Sequence, residues 1–171
     1  VYGLAWTKSV AAAFVYMPKM SGNGWTVFTS KDGGTTFVPS PIFDASPTIP
    51  PATGMTVAGG AAPELVFRKD GTLLYSEDGT SITKTLSFGA CTDPSIKAVF
   101  DVSPTDHAVA LMRCSGGLSR CEKGACVPVT GGSSNVPPVV DVRFSPDGAR
   151  AVAIGTKPDG AFVAMDSSDG G

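Results

Sequence analysis

The chain has 171 residues, with 21 glycines, 14 prolines, four cysteines and a formal net charge of −2. That length holds one domain with a real core. The weak acidity offers no basic surface for nucleic acid, and the longest apolar stretch, residues 10–17, is far too short to span a bilayer.

Glycine and proline punctuate short apolar runs throughout, a mix that suits many short strands rather than helices. The chain begins at Val1 rather than Met. It therefore reads as a processed or excised piece, in which a missing leader says little about export.

The first unit predicts strands at 2–7, 11–16, 25–30 and 36–43, with a loop over 18–24. Trp25, Thr26, Val27, Phe28 and Thr29 are strand formers in a half-buried pattern. Prolines 47, 50 and 51 then mark a connector, because they cannot donate to a ladder. The second unit predicts strands at 55–58, 64–68, 72–75 and 82–88, with Lys69-Asp70-Gly71 as its central hairpin turn. The third predicts 96–102, 108–113, 118–121 and 126–129. The fourth predicts 139–144, 149–154 and 161–165, and stops before a last strand. Ser103-Pro104-Thr105-Asp106 and Ser145-Pro146-Asp147-Gly148 recur between first and second strands, where proline second and Asp or Gly later fit a type I turn.

Four strands repeating every 43–48 residues or so is the pattern of a β-propeller. The expected fold is all-β: a single partial propeller of four-stranded antiparallel blades near 1–44, 53–90, 95–130 and 138–171. About four blades are present, the last incomplete.

A second periodicity lies in the turns. Ser30-Lys31-Asp32-Gly33-Gly34-Thr35-Thr36-Phe37 returns more loosely as Ser76-Glu77-Asp78-Gly79-Thr80, and again as Ser167-Ser168-Asp169-Gly170-Gly171. In the third unit Cys121 and Cys126 bracket the corresponding turn instead. The Ser30-x-Asp32-x-Gly34-x-Thr36-Phe37 pattern resembles the Asp box of sialidase-like (BNR-repeat) propellers. Phe144-Ser145-Pro146-Asp147-Gly148 resembles the turn of TolB-like and WD40-like blades. The second copy departs from the box, with Ile82 and Thr83 in place of the Thr-aromatic pair.

The resemblance implies that the boxes are folding devices between third and fourth strands, on the face away from the usual active site. Carboxylate and serine hydroxyl would bond to their own turn, Gly34 would take a positive φ, and Phe37 would return to pack between sheets.

Cys91, Cys114, Cys121 and Cys126 lack CxxC spacing, and the one histidine, His107, leaves no obvious fourth zinc ligand. They read as two disulfides. That implies an oxidising compartment, extracellular or periplasmic. In a propeller Cys91 and Cys114 would share the connector face, with Cys121 and Cys126 flanking the opposite turn. This favours pairing within each couple, while two other connectivities stay open.

No cofactor or metal motif is present: G-x-S-x-G, HExxH and P-loop patterns are absent. The arginines at 68, 113, 120, 143 and 150 lack the Arg-Ile-Pro setting of sialidases, Tyr2, Tyr16 and Tyr75 fall inside strands, and His107 reads as a solvated turn residue. A binding surface is expected on the connector face, where Lys19, Met20, Asn23 and Trp25 join Arg113, Lys157 and Asp159.

The sequence thus points to an exported binding or scaffold module for a protein or glycan, more a binder than an enzyme. The alternative is the N-terminal part of a sialidase-like glycoside hydrolase. The missing fourth strand predicts that further blades of a six- to eight-bladed ring, or a second chain, complete the fold. A compact four-bladed ring is the other solution.

Overall fold

The computed structural model describes residues 3–19, 22–43, 54–89, 91–92, 98–115, 117–129 and 138–168. Apart from a 3-10 turn at Pro41–Phe43, all the regular structure in this part is β. Sheet 1 contains β1 (Gly3–Trp6), β2 (Ala11–Lys19), β3 (Gly22–Ser30) and β4 (Val38–Pro39). Sheet 2 contains β5 (Gly54–Ala58), β6 (Glu64–Lys69), β7 (Thr72–Ser76) and β8 (Lys84–Ser87). Sheet 3 contains β9 (Phe100–Val102), β10 (Ala110–Cys114), β11 (Gly117–Glu122) and β12 (Ala125–Pro128). Sheet 4 has three described strands, β13 (Val139–Phe144), β14 (Ala151–Thr156) and β15 (Phe162–Ser167).

Every sheet is an antiparallel meander in chain order, as the alternating turn and strand signals predict. The largest departure is the first central hairpin. Its strands run to Lys19 and from Gly22, pairing Tyr16 with Trp25 and Pro18 with Asn23, where the sequence predicts a loop. Pro18 is tolerated because β1 pairs only with residues 11–14 of β2, so no neighbour on that side needs its missing N–H.

The sheets stack through their first strands, with β1 against β5, β5 against β9 and β9 against β13. Each interface holds its own apolar cluster. Ala5, Val10, Ala12 and Val27 of sheet 1 meet Leu65 and Phe67 of sheet 2. Val66, Leu73 and Tyr75 on the other face of sheet 2 meet Phe100, Ala110, Met112 and Cys121 of sheet 3. Val99 and Leu111 then meet Val142, Ala151 and Ala153 of sheet 4. The central sheets are therefore apolar on both faces: Leu65, Val66 and Phe67 are consecutive and all buried.

The turns lock onto their neighbours. Ser30 Oγ donates to Asp32 Oδ1 at 2.6 Å and accepts the Gly34 N–H at 2.8 Å, while the Thr36 N–H and hydroxyl both donate to the Asp32 carboxylate. In sheet 2 the Gly79 N–H donates to Ser76 Oγ, and the Thr80 N–H and hydroxyl donate to Asp78. Gly34 (φ 90°) and Gly79 (φ 72°) supply the left-handed positions these turns require.

The second turn is wedged against sheet 1. Ser40 Oγ donates to the Gly79 carbonyl at 2.5 Å, and Lys31 Nζ lies 3.9 Å from Asp78. Phe37 departs from the packing that the resemblance implies, being 39% exposed at the sheet edge. Pro39 and Pro41 hold β4 to two residues, too short to carry Phe37 back between sheets. Ser167 ends β15, and Asp169 lies outside the described residues.

Two disulfides fasten sheet 3. Cys91–Cys114 (Cα–Cα 4.8 Å) ties the segment after β8 to the end of β10. Cys121–Cys126 (Cα–Cα 4.0 Å) clamps the β11–β12 turn, whose Lys123 and Gly124 both have positive φ. Buried Arg68 reinforces the first bridge, donating to Cys91 Sγ at 3.3 Å and to the carbonyls of Asp70 and Val99.

Candidate functional site

Residues from the first strands of all four sheets meet around one cavity of about 380 Å³. Leu4, Ala5 and Trp6 come from β1, Met55, Thr56 and Val57 from β5, Asp101 from β9 and Arg143 from β13. A strand alternates its side chains, and Ala5 is spent on the sheet 1–sheet 2 core. Leu4 and Trp6 therefore point the other way, and each is 56% exposed.

Asp101 is the polar centre. It interrupts the apolar run Val99-Phe100-Asp101-Val102 and is buried with it. Its Oδ1 accepts the Thr56 hydroxyl at 2.9 Å, and its Oδ2 accepts the Phe144 N–H at 2.8 Å. One carboxyl thus joins sheets 2, 3 and 4. Arg143 closes the cluster: Nη1 donates to Thr56 Oγ1 at 3.2 Å and lies 3.9 Å from Asp101, while Nη2 lies 3.6 Å from Asp141 Oδ1.

Burial pushes the Asp101 carboxyl above the usual carboxylate value, against the pull of the Phe144 N–H, the Thr56 hydroxyl and Arg143. The Arg143 guanidinium stands between Asp101 and Asp141, where a cation would otherwise balance them. It remains 60% exposed and can offer N–H groups to a ligand. The cavity thus combines a broad indole face, forked donors and a shielded carboxyl.

Of the residues expected to form a binding face, Arg113, Lys157 and Asp159 have described side chains and do not line this cavity. Arg113 Nη1 donates to the Val139 carbonyl at 2.9 Å, tying sheet 3 to sheet 4. Asp159 caps its own turn by accepting the Ala161 N–H, and Lys157 pairs with Ala161 through the backbone of that turn. Lys19 and Asn23 sit at the β2–β3 hairpin tip and Trp25 three pairs in, with their side chains outside the described part. Met20 also lies outside it.

In the sequence Asp101, Thr56, Arg143 and Trp6 stand out only as polar or bulky residues inside first strands, with no turn motif to mark them. His107 is corrected too. It is half-buried, with Nδ1 2.7 Å from Glu64 Oε2 and Nε2 2.8 Å from the Gly59 carbonyl, and its own carbonyl accepts the Tyr75 hydroxyl. It bridges sheets 2 and 3 rather than facing solvent.

No protein-family model matches the chain, and no curated protein matches it. Among solved structures it is similar to the α-L-arabinofuranosidase PaAbf62A from Podospora anserina, crystallised in complex with cellotriose. The TM-score is 0.48 with 14% identity over 95% of this chain, which spans 61% of that protein's length. Among the described residues no helix is long and apolar enough to cross a membrane.

Proposed function

We propose that the four sheets are blades of a β-propeller that serves as an exported, non-catalytic binding module, with a glycan as ligand in the cavity between the first strands. The observation that carries this reading is the exposed Trp6 indole beside Arg143 and Asp101 in one cavity lined by all four sheets. Its volume falls in the range of small-molecule sites, roughly 300–1,000 Å³. Sugars offer C–H faces for an aromatic ring and hydroxyls for forked donors and carboxyl acceptors. On this reading the turns at Ser30–Phe37 and Ser76–Thr80 are Asp boxes that hold the outer strands. The two disulfides fit an oxidising compartment.

The test is calorimetric titration with a panel of neutral and acidic oligosaccharides. Trp6→Ala and Arg143→Ala should each weaken binding at least about tenfold, roughly 1.4 kcal/mol, without moving the melting temperature by more than a few degrees. Failure of the unaltered protein to bind any oligosaccharide sinks the proposal.

The buried carboxyl of Asp101 favours a second reading, the N-terminal part of a sialidase-like glycoside hydrolase, because a raised pKa suits a proton donor. Release of reducing sugar that disappears in Asp101→Asn would replace binding with hydrolysis as the function.

A further inference from the structure

Sheets 2 and 3 also meet through two turns. The β5–β6 turn carries Gly59 and Gly60, and the β9–β10 turn carries Pro104 and His107. They press together so closely that a Cβ at Gly60 (φ 91°) would strike the Pro104 carbonyl. His107, the only histidine in the chain, reaches across this contact. Its Nδ1 lies 2.7 Å from Glu64 Oε2, and its Nε2 lies 2.8 Å from the Gly59 carbonyl oxygen.

A carbonyl and an ionised carboxylate are both acceptors with no hydrogen to give. A neutral imidazole has one N–H and one bare nitrogen, so it would set a lone pair against one of these two oxygens. A protonated ring donates to both. Carboxylic acids are stronger acids than imidazolium, ordinarily about 4.3 against about 6.5, so a proton shared by such a pair rests on the ring. The two side chains are only 18% and 16% exposed, which makes an acceptor left without a donor costly here.

The other ionisable groups around the ring are already engaged. Tyr75 of β7 donates its hydroxyl to the His107 carbonyl, and burial, then the charges of Glu64 and Asp106, push its own ionisation up. Asp106 accepts the Ala108 N–H within the turn. Lys84 of β8 lies 4.7 Å over the Tyr75 ring.

We propose that His107 is a proton-operated clasp between sheets 2 and 3. As an imidazolium it closes both bonds, and on losing its proton it gives up one and loosens the paired turns. Histidine ordinarily changes charge between about pH 5 and pH 8, so a rise in pH is the signal that opens the clasp. The strands behind these turns, β5 and β9, also carry the Thr56–Asp101 bond. Opening therefore frees one end of each strand that frames the cavity. The clasp rests on hydrogen-bond geometry and not on glycan binding.

Nitrogen-15 NMR of the single imidazole tests this directly. At about pH 7 both ring nitrogens should carry hydrogen in the unaltered protein. In Glu64→Gln the side-chain amide donates to a bare Nδ1, so the ring should hold one hydrogen, on Nε2. A proton kept by the folded state and lost from the unfolded chain stabilises at lower pH, and that contribution fades as pH rises. Melting temperature should therefore fall by several degrees between about pH 6 and pH 9. The fall should be distinctly smaller in Glu64→Gln, which keeps both bonds without the extra proton. A bare ring nitrogen in the unaltered protein at the first pH overturns the proposal, as does an equal fall in the two proteins. Should Glu64→Gln not fold, the hydrogen count in the unaltered protein decides alone. A failed glycan titration leaves that count untouched, so the two readings fail separately.

Discussion

Asp32 and Asp101 are the same residue type in opposite electrostatic settings. Asp32 sits at the surface, and hydrogen bonds from Ser30, Thr36 and Thr35 hold its carboxyl well below the ordinary value of 3.8. Asp78 and Asp147 are lowered from 3.8 in the same way, chiefly by Thr80 and Ser145. Asp101 is raised because burial outweighs its partners.

The signs follow from linkage. A depressed carboxyl contributes stability that is present above its unfolded value and lost as pH falls through its folded value. A raised one contributes stability below its unfolded value that is lost as pH rises. The three turn aspartates therefore set the acid limb. Melting temperature should fall between about pH 5 and pH 2, and the triple change Asp32→Asn, Asp78→Asn, Asp147→Asn should flatten that fall. An equally steep limb in the triple variant would show that other carboxyls govern acid unfolding.

Gly79 gives a sharper test at this scale. Its φ is 72°, and a Cβ there would meet Thr29 Cγ2 of sheet 1 at 2.5 Å. Gly79→Ala should cost about 1–3 kcal/mol, read as a shifted urea midpoint, whereas Gly33→Ala meets no neighbour and bears only the backbone cost. Equal losses in the two variants would rule out the wedge of this turn between sheets.

Among the elements, the meander order and most strand positions were legible because each turn carries its own chemistry, such as Asp70 at φ 51° between β6 and β7. Positions decided by neighbours were not legible. Strand β4 is held to Val38–Pro39 by its own Pro39 and the following Pro41, but the β2–β3 hairpin extends through Pro18 because β1 is short, which is not local to the residues concerned. Asp101 escaped for the same reason: only assembly reveals that Thr56, Phe144 and Arg143 converge on it.

The disulfides are also elements whose weight depends on span. Cys91–Cys114 closes a separation of 23 residues and Cys121–Cys126 one of five. Loop-closure entropy values them at about 3 and about 2 kcal/mol respectively. Replacing the first pair with serine should therefore lower stability more than replacing the second. The Arg68 Nη2 contact to Cys91 Sγ at 3.3 Å widens the gap. Equal losses, or a larger loss from the second pair, would show that the short bridge does more than close its turn.

The whole molecule carries a gradient of burial that its dynamics should follow. Sheets 2 and 3 are covered on both faces: Leu65, Val66 and Phe67 in β6 and Ala110, Leu111 and Met112 in β10 are all nearly inaccessible. Inter-sheet bonds converge on the same centre, with Arg68 reaching Val99, His107 reaching Glu64 and Gly59, and Asp101 linking three sheets. Outward from there, protection thins. Strand β12 is largely exposed, β15 alternates exposed and half-buried residues, and β4 has only two pairs to β3. Amide exchange is set by the least costly opening that frees each N–H, so regions with few buried contacts exchange through local opening. Exchange in the isolated chain should be slowest in β6, β7 and β10 and fastest in β4, β12 and β15. Thr56→Val, which removes the hydroxyl shared by Asp101 and Arg143, should speed exchange in β13 and β14 more than in β6. Uniform exchange across the sheets would mean that the molecule opens as one cooperative unit, and that the bonds at Asp101 do not limit the release of sheet 4.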